Sequence, residues 1–167
     1  MREMNTDGAC MGLHWLAGCG ALVRSANGQW VVGFSKWIGV TSSFATELRG
    51  LCEGIQLCCN LNISCLEVEM DAKSIIDVIG SPNYVNNIIS PILDDCRLLI
   101  TKFHQVRIKH CFLQTNQCAD GLAKKSLRMA GELLIYDNPL VNILDVFEGD
   151  LNGIYSFRIY PNLSSVV

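Results

Sequence analysis

Apolar residues along the chain change period several times, and each change marks an element. Residues 3–8, 18–25 and 29–38 are strand-like, and Asn27-Gly28 between the last two is a strong hairpin signal. Three consecutive antiparallel strands are therefore expected. From Ser43 the spacing becomes helical, with Phe44, Leu48, Leu51, Ile55 and Cys58 on one stripe. That predicts a helix over 43–60 with Ser42 or Ser43 as its N-cap. Residues 64–70 alternate, with Leu66, Val68 and Met70 opposite Glu67, Glu69 and Asp71, and read as a fourth strand. A short helix from Ala72 to Ile79 is closed by Gly80-Ser81-Pro82, and 90–103 is a helix with Pro91 in its first turn. Residues 105–113 read as a fifth strand and 116–129 as a last helix capped by Asn116. Beyond 130 no period is clear. The division expected is a domain over 1–130 and a tail over 131–167 that packs or frays. Strands interleaved with helices in this order imply an α/β sheet flanked by helices.

Four carboxylates stand out against this pattern. Glu47 falls inside the apolar stripe of the first helix, where a charge is costly unless paired, metal-bound or led out to solvent at the stripe's edge. Asp71 ends the strand that leads into the short helix, at the sheet edge where α/β folds place their sites, or simply caps that helix. Asp120 sits in the first turn of the last helix, which the helix dipole alone would favour. Asp7, beside Gly8, has a turn residue's composition. Each has an ordinary reading by itself. As a set they match what a pair of divalent cations about 4 Å apart requires, namely several shared carboxylates converging on one spot.

Composition narrows the rest. With 167 residues, 50% apolar and 17% charged, the chain is most simply one globular domain. No apolar run approaches the roughly 20 residues of a membrane span, and the opening residues lack the apolar core of a secretory signal, so no membrane partner is expected. The net charge of −3 argues against broad, charge-driven nucleic-acid binding, less so against binding through metal cations. Nine cysteines, none spaced Cys-x-x-Cys, and three histidines off zinc-finger intervals read as buried thiols in a reducing compartment, nucleus or cytoplasm. No glycine-rich dinucleotide fingerprint follows a strand, since Gly18-Cys19-Gly20 lies in the wrong context.

The blocks "NTDGA", "AGCGALVRSANGQW", "ATELRGLCEGI", "LEVEMDAKSIIDVI" and "VRIKHCFLQTNQCADGLAKKS" together resemble the type 1 ribonuclease H family over about residues 3–128. The similarity is closest to its reverse-transcriptase-like branch, common in plant retroelement-derived proteins. The resemblance implies a ribonuclease H-like fold, a five-stranded mixed sheet with three antiparallel strands and then parallel additions. It implies metal-binding carboxylates at Asp7, Glu47, Asp71 and Asp120, a mobile histidine at His110, and a site asparagine at Asn116. It further implies two Mg²⁺ ions, with Mn²⁺ as an alternative, and hydrolysis of the RNA strand of an RNA–DNA hybrid. Ser42 and Ser43 would touch the nucleic acid or only cap the helix. Lys109, Lys124, Lys125 and Arg128 would meet phosphates or form a solvated face. A monomer is expected. The alternative is a domesticated module of the same fold that holds nucleic acid or a protein without cutting. Two positions depart from the family: Gly12-Leu13-His14-Trp15 is bulkier than the usual loop, and Gly121 stands where a helix former is typical.

Overall fold

A computed structural model of the chain describes residues 1–129, 131 and 133–151. Strands β1 (Arg2–Met11), β2 (Leu16–Arg24) and β3 (Trp30–Val40) form an antiparallel meander. Helix α1 (Ser43–Asn60) leads to β4 (Cys65–Met70), and α2 (Lys73–Ile79) and α3 (Ser90–Ile100) lead to β5 (Gln105–His110). After a 3-10 turn at Leu113–Thr115 come α4 (Gln117–Ser126), β6 (Leu133–Tyr136) and α5 (Val141–Leu151). The sheet order is β5-β4-β1-β2-β3-β6, with β4 parallel to β1 and β5 parallel to β4.

The mixed α/β class is as expected, with a correction: among the described residues the sheet has six strands, not five. The added strand β6 lies antiparallel on β3, with Gly33 opposite Tyr136. It is an edge strand whose Leu133, Leu134 and Ile135 are 39–52% exposed, so burial imposes no alternation that a sequence pattern would register. The fifth strand is shorter than expected, ending at His110, because residues 113–115 wind into the 3-10 turn.

Strand β2 is buried along its whole length from Ala17 to Arg24, because helices cover both faces. Cys19, Ala21 and Val23 join Met4, Leu48, Leu51 and Ile55 in the core beneath α1. Leu22 points the other way, into a second cluster with Cys118, Leu122, Ile143 and Phe147 beneath α4 and α5. Glycines set how closely the helices approach. A Cβ at Gly8 would lie 2.9 Å from the backbone nitrogen of Glu47, and one at Gly20 would lie 2.5 Å from that of Ala123. So α1 rests directly on β1 and α4 on β2, at neighbouring levels, since Asp7 pairs with Gly20.

Ser42 does cap α1: its Oγ accepts from the Ala45 amide at 3.2 Å. Asn116 occupies the cap position of α4 but makes no side-chain cap. Its Nδ2 donates instead to the Thr6 carbonyl at 3.0 Å, tying the start of α4 to β1. All nine cysteines are free. Among the described residues, no helix is long and apolar enough to cross a membrane.

Candidate metal centre

Three of the four carboxylates meet. Asp7 lies in the middle of β1, 5% exposed. The parallel register that pairs Asn5 with Glu69 carries Asp71, just past the end of β4, to the level of Asp7. Glu47 arrives from the far side of the strand, on the second turn of α1, where Gly8 permits close approach. One carboxylate oxygen from each of Asp7, Glu47 and Asp71 lies within 4.8 Å of the others.

Carboxylates packed this way resist ionisation. Burial raises Asp7 from 3.8 to about 7, with the charges of Asp71 and Asp120 adding to it. Burial likewise raises Glu47 from 4.5 to about 9, with Asp7 and Asp71 adding. The Gly8 amide answers the negative charge directly, donating to Asp7 Oδ1 at 2.9 Å. Glu47 Oε2 is buried without a hydrogen-bond partner. A buried orphan carboxylate oxygen beside two more carboxylates is an all-oxygen donor set, the kind hard divalent cations such as Mg²⁺ take. The residues present therefore fit the cations that the resemblance implies.

Asp120 stands apart from the trio. It is near enough to raise Asp7, but its own carboxylate accepts from Lys124 Nζ at 2.7 Å. Lys124, expected to meet phosphate or to form part of a solvated face, is engaged here, and its i,i+4 spacing from Asp120 is the sequence sign of the pair. An exposed pair of that kind contributes about 0.5 kcal/mol, so a divalent cation competes with it readily. His110 ends β5 opposite Met70, the residue before Asp71, and its exposed ring lies edge-on to Phe112 with centroids 5.7 Å apart. Ser43 is exposed at the start of α1 beside the capping Ser42. Asn116 is 1% exposed, with Oδ1 unpartnered. Lys109 is engaged by Glu67 at 2.6 Å across β4 and β5. Arg128 lines a groove with Lys124 and residues 8–11 of β1.

The raised carboxylates make stability depend on pH. The unfolded chain releases these protons near pH 4, while the folded chain holds them up to about 7 and 9. Folding thus takes up protons, and stability falls as pH rises through that interval. In chelator, the melting temperature is expected to drop by about 5 °C or more between pH 5 and pH 9. Millimolar Mg²⁺ at pH 8 to 9 is expected to restore it by binding only the folded state. A flat profile in differential scanning calorimetry would exclude a buried acidic cluster.

Residues 5–126 match the family described as reverse transcriptase-like. An Arabidopsis thaliana protein, whose name as a ribonuclease H protein is itself provisional, is 30% identical over 128 residues, 77% of this chain and 21% of its own. The chain thus spans about a fifth of the length of the curated relative it matches. RNase H1 of Halobacterium salinarum superposes with a TM-score of 0.69 at 24% identity, over 77% of this chain and 98% of that one. The N-terminal RNase H domain of a Mycobacterium tuberculosis protein gives 0.71 at 22%, over 76% and 93%. LC11-RNase H1, isolated from compost and solved in complex with an RNA/DNA hybrid, gives 0.70 at 18%, over 77% and 97%. These likenesses establish a ribonuclease H fold.

Proposed function

The chain belongs to the reverse transcriptase-like family, and from that membership we propose that it hydrolyses the RNA strand of RNA–DNA hybrids with the help of divalent cations, magnesium foremost. The observation that carries this reading is the convergence of Asp7, Glu47 and Asp71 within 4.8 Å, with Asp120 at the edge of the same site. The solved relative that holds an RNA/DNA hybrid supports the choice of substrate.

Asp7, Glu47, Asp71 and Asp120 would hold two magnesium ions. Bound there, the metal supplies Lewis acidity that activates the attacking water and stabilises charge on the phosphate and the leaving 3′ oxygen. The chain's own residues do the rest. Asp7, in mid-sheet and fixed by the Gly8 amide, would hold a cation in a set position relative to the strands. Glu47 and Asp71 approach from two further elements, so their geometry is fixed before substrate arrives, which lowers the reorganisation cost of the reaction. His110, exposed at the end of the strand paired with the one that leads to Asp71, would carry a proton away from the site or assist product release. Asn116 anchors α4, and with it Asp120, to the strand that bears Asp7.

The test is incubation of purified protein with end-labelled hybrid, duplex DNA and duplex RNA in Mg²⁺, beside an Asp71→Asn control. The parent is expected to cut only the RNA strand of the hybrid, and the control not at all. Binding without cutting by the parent would favour a domesticated binding module. Equal cutting by both proteins would mean a contaminant and would remove the assignment.

A further inference from the structure

We propose that the C-terminal unit of β6 and α5 belongs to the frame of the metal centre, and that Ile143 is a positioning residue for Asp120, acting through Gly121. This rests on the reading of Asp120 as a cation ligand. The matched family region ends at residue 126, so β6 and α5 lie outside it.

Gly121 directly follows Asp120 in α4. A Cβ there would lie 2.7 Å from Ile143 Cγ2, so α5 approaches α4 closely only because this position has no side chain. Ile143 and Phe147 are 3% and 4% exposed, packed with Leu22, Cys118 and Leu122. The unit is fastened to the sheet by polar contacts as well. Arg24, from β2, pairs with Asp150 at 2.7 Å, both side chains largely buried, and its guanidinium stacks 4.8 Å above the Phe147 ring. Trp30, from β3, lies edge-on to Phe147 and donates from Nε1 to the Tyr136 carbonyl at 3.0 Å.

Helix α4 needs such support. It has 10 residues, lacks a side-chain N-cap and contains a glycine. A helix this short is marginal in isolation, and glycine in its interior weakens it further relative to alanine. Its position therefore comes from its neighbours: β2 below, where Gly20 meets it, the Asn116 tie at its start, and α5 against Gly121. Asp120 lies on the lip of a cleft between the two helices, beside Gln117, Lys124, Asn142 and Val146. A shift of α4 away from α5 moves Asp120 directly.

The deciding experiment compares Mn²⁺ binding by calorimetry to the substrate-free full chain at pH 8 for the parent, Asp120→Asn, Gly121→Ala, Ile143→Ala and the double variant Gly121→Ala/Ile143→Ala. Were Gly121 merely structural, alanine would cost stability through its 2.7 Å approach to Ile143 Cγ2 and leave affinity unchanged. Gly121→Ala is instead expected to weaken the weaker Mn²⁺ site about tenfold, the lower end of what displacing a ligand's support costs. In the double variant the added methyl fills the space vacated at 143, and affinity is expected to return to within about threefold of the parent. Unchanged affinity in a folded Gly121→Ala protein, or no recovery in the double variant, overturns the proposal. If Gly121→Ala does not fold, Ile143→Ala decides alone: a drop of about threefold supports the proposal and no drop overturns it. If Asp120→Asn itself leaves Mn²⁺ binding unchanged, the reading of Asp120 as a ligand falls, and this inference with it. If Asp120→Asn weakens binding while the other variants do not, only this inference falls.

Discussion

Asp7→Asn is expected to abolish cutting of the hybrid while making the cation-free protein more stable. The two effects have one cause. Asp7 is 5% exposed and sits against Glu47 and Asp71, so its charge is costly until a cation neutralises it. An asparagine has nearly the same shape, and its side-chain oxygen keeps the bond from the Gly8 amide. It removes one charge from the cluster and gives up one cation ligand. Losing several kcal/mol of transition-state stabilisation lowers the cutting rate by about a thousandfold or more. Relief of burial and repulsion at pH 8 is expected to raise stability by about 1–3 kcal/mol, read as a melting temperature in chelator higher by roughly 3–10 °C. The fall in stability from pH 5 to pH 9 should also shrink. A variant that is both inactive and less stable would show that Asp7 is held by partners rather than strained by neighbours.

Gly20→Ala is expected to cost about 3 kcal/mol and to lower the melting temperature by roughly 6–12 °C. The new methyl would stand 2.5 Å from the Ala123 nitrogen and 2.6 Å from the Leu122 carbonyl carbon. Both are backbone atoms, which no rotamer change can move aside, so α4 must lift from β2. Because α4 carries Asp120, cutting measured well below the new melting temperature should fall too. Gly80→Ala is the control: its methyl meets nothing nearer than 3.5 Å, and its stability is expected to stay within about 0.5 kcal/mol of the parent. Urea unfolding of both variants, with cutting assayed on the same preparations, separates the outcomes. Equal stability of the two would mean that α4 does not rest on β2 through Gly20.

Gly20 also shows where a one-dimensional pattern stops. In the sequence it is a small residue in an apolar run, and nothing nearby signals a helix that arrives a hundred residues later. Gly121 is a similar case. Read along the chain it is only a poor helix former, and it acquires a reason once Ile143 is found against it. Asn116 has the composition and place of an N-cap, yet its side chain goes to the Thr6 carbonyl, a tertiary partner on β1 that local spacing does not announce. Strand β6 left no alternation because it lies on the sheet edge with both of its faces partly solvated.

Elements with a strong local signal were written into the chain: α1 and β4 follow from apolar spacing set by one core face, and the meander from its apolar runs and the Asn27-Gly28 turn. Glu47 and Asp71 stand out in the sequence, because a charge inside an apolar stripe or at a strand's end contradicts its surroundings, whereas Asp7 and Asp120 look ordinary locally and stand out only as members of a set. Their arrangement belongs to the tertiary structure. Only the parallel register of β1 and β4 and the close rest of α1 on Gly8 bring Asp7, Glu47 and Asp71 together, while Asp120 turns to Lys124. Distances between residues far apart in sequence depend on how whole elements pack, which no local preference encodes.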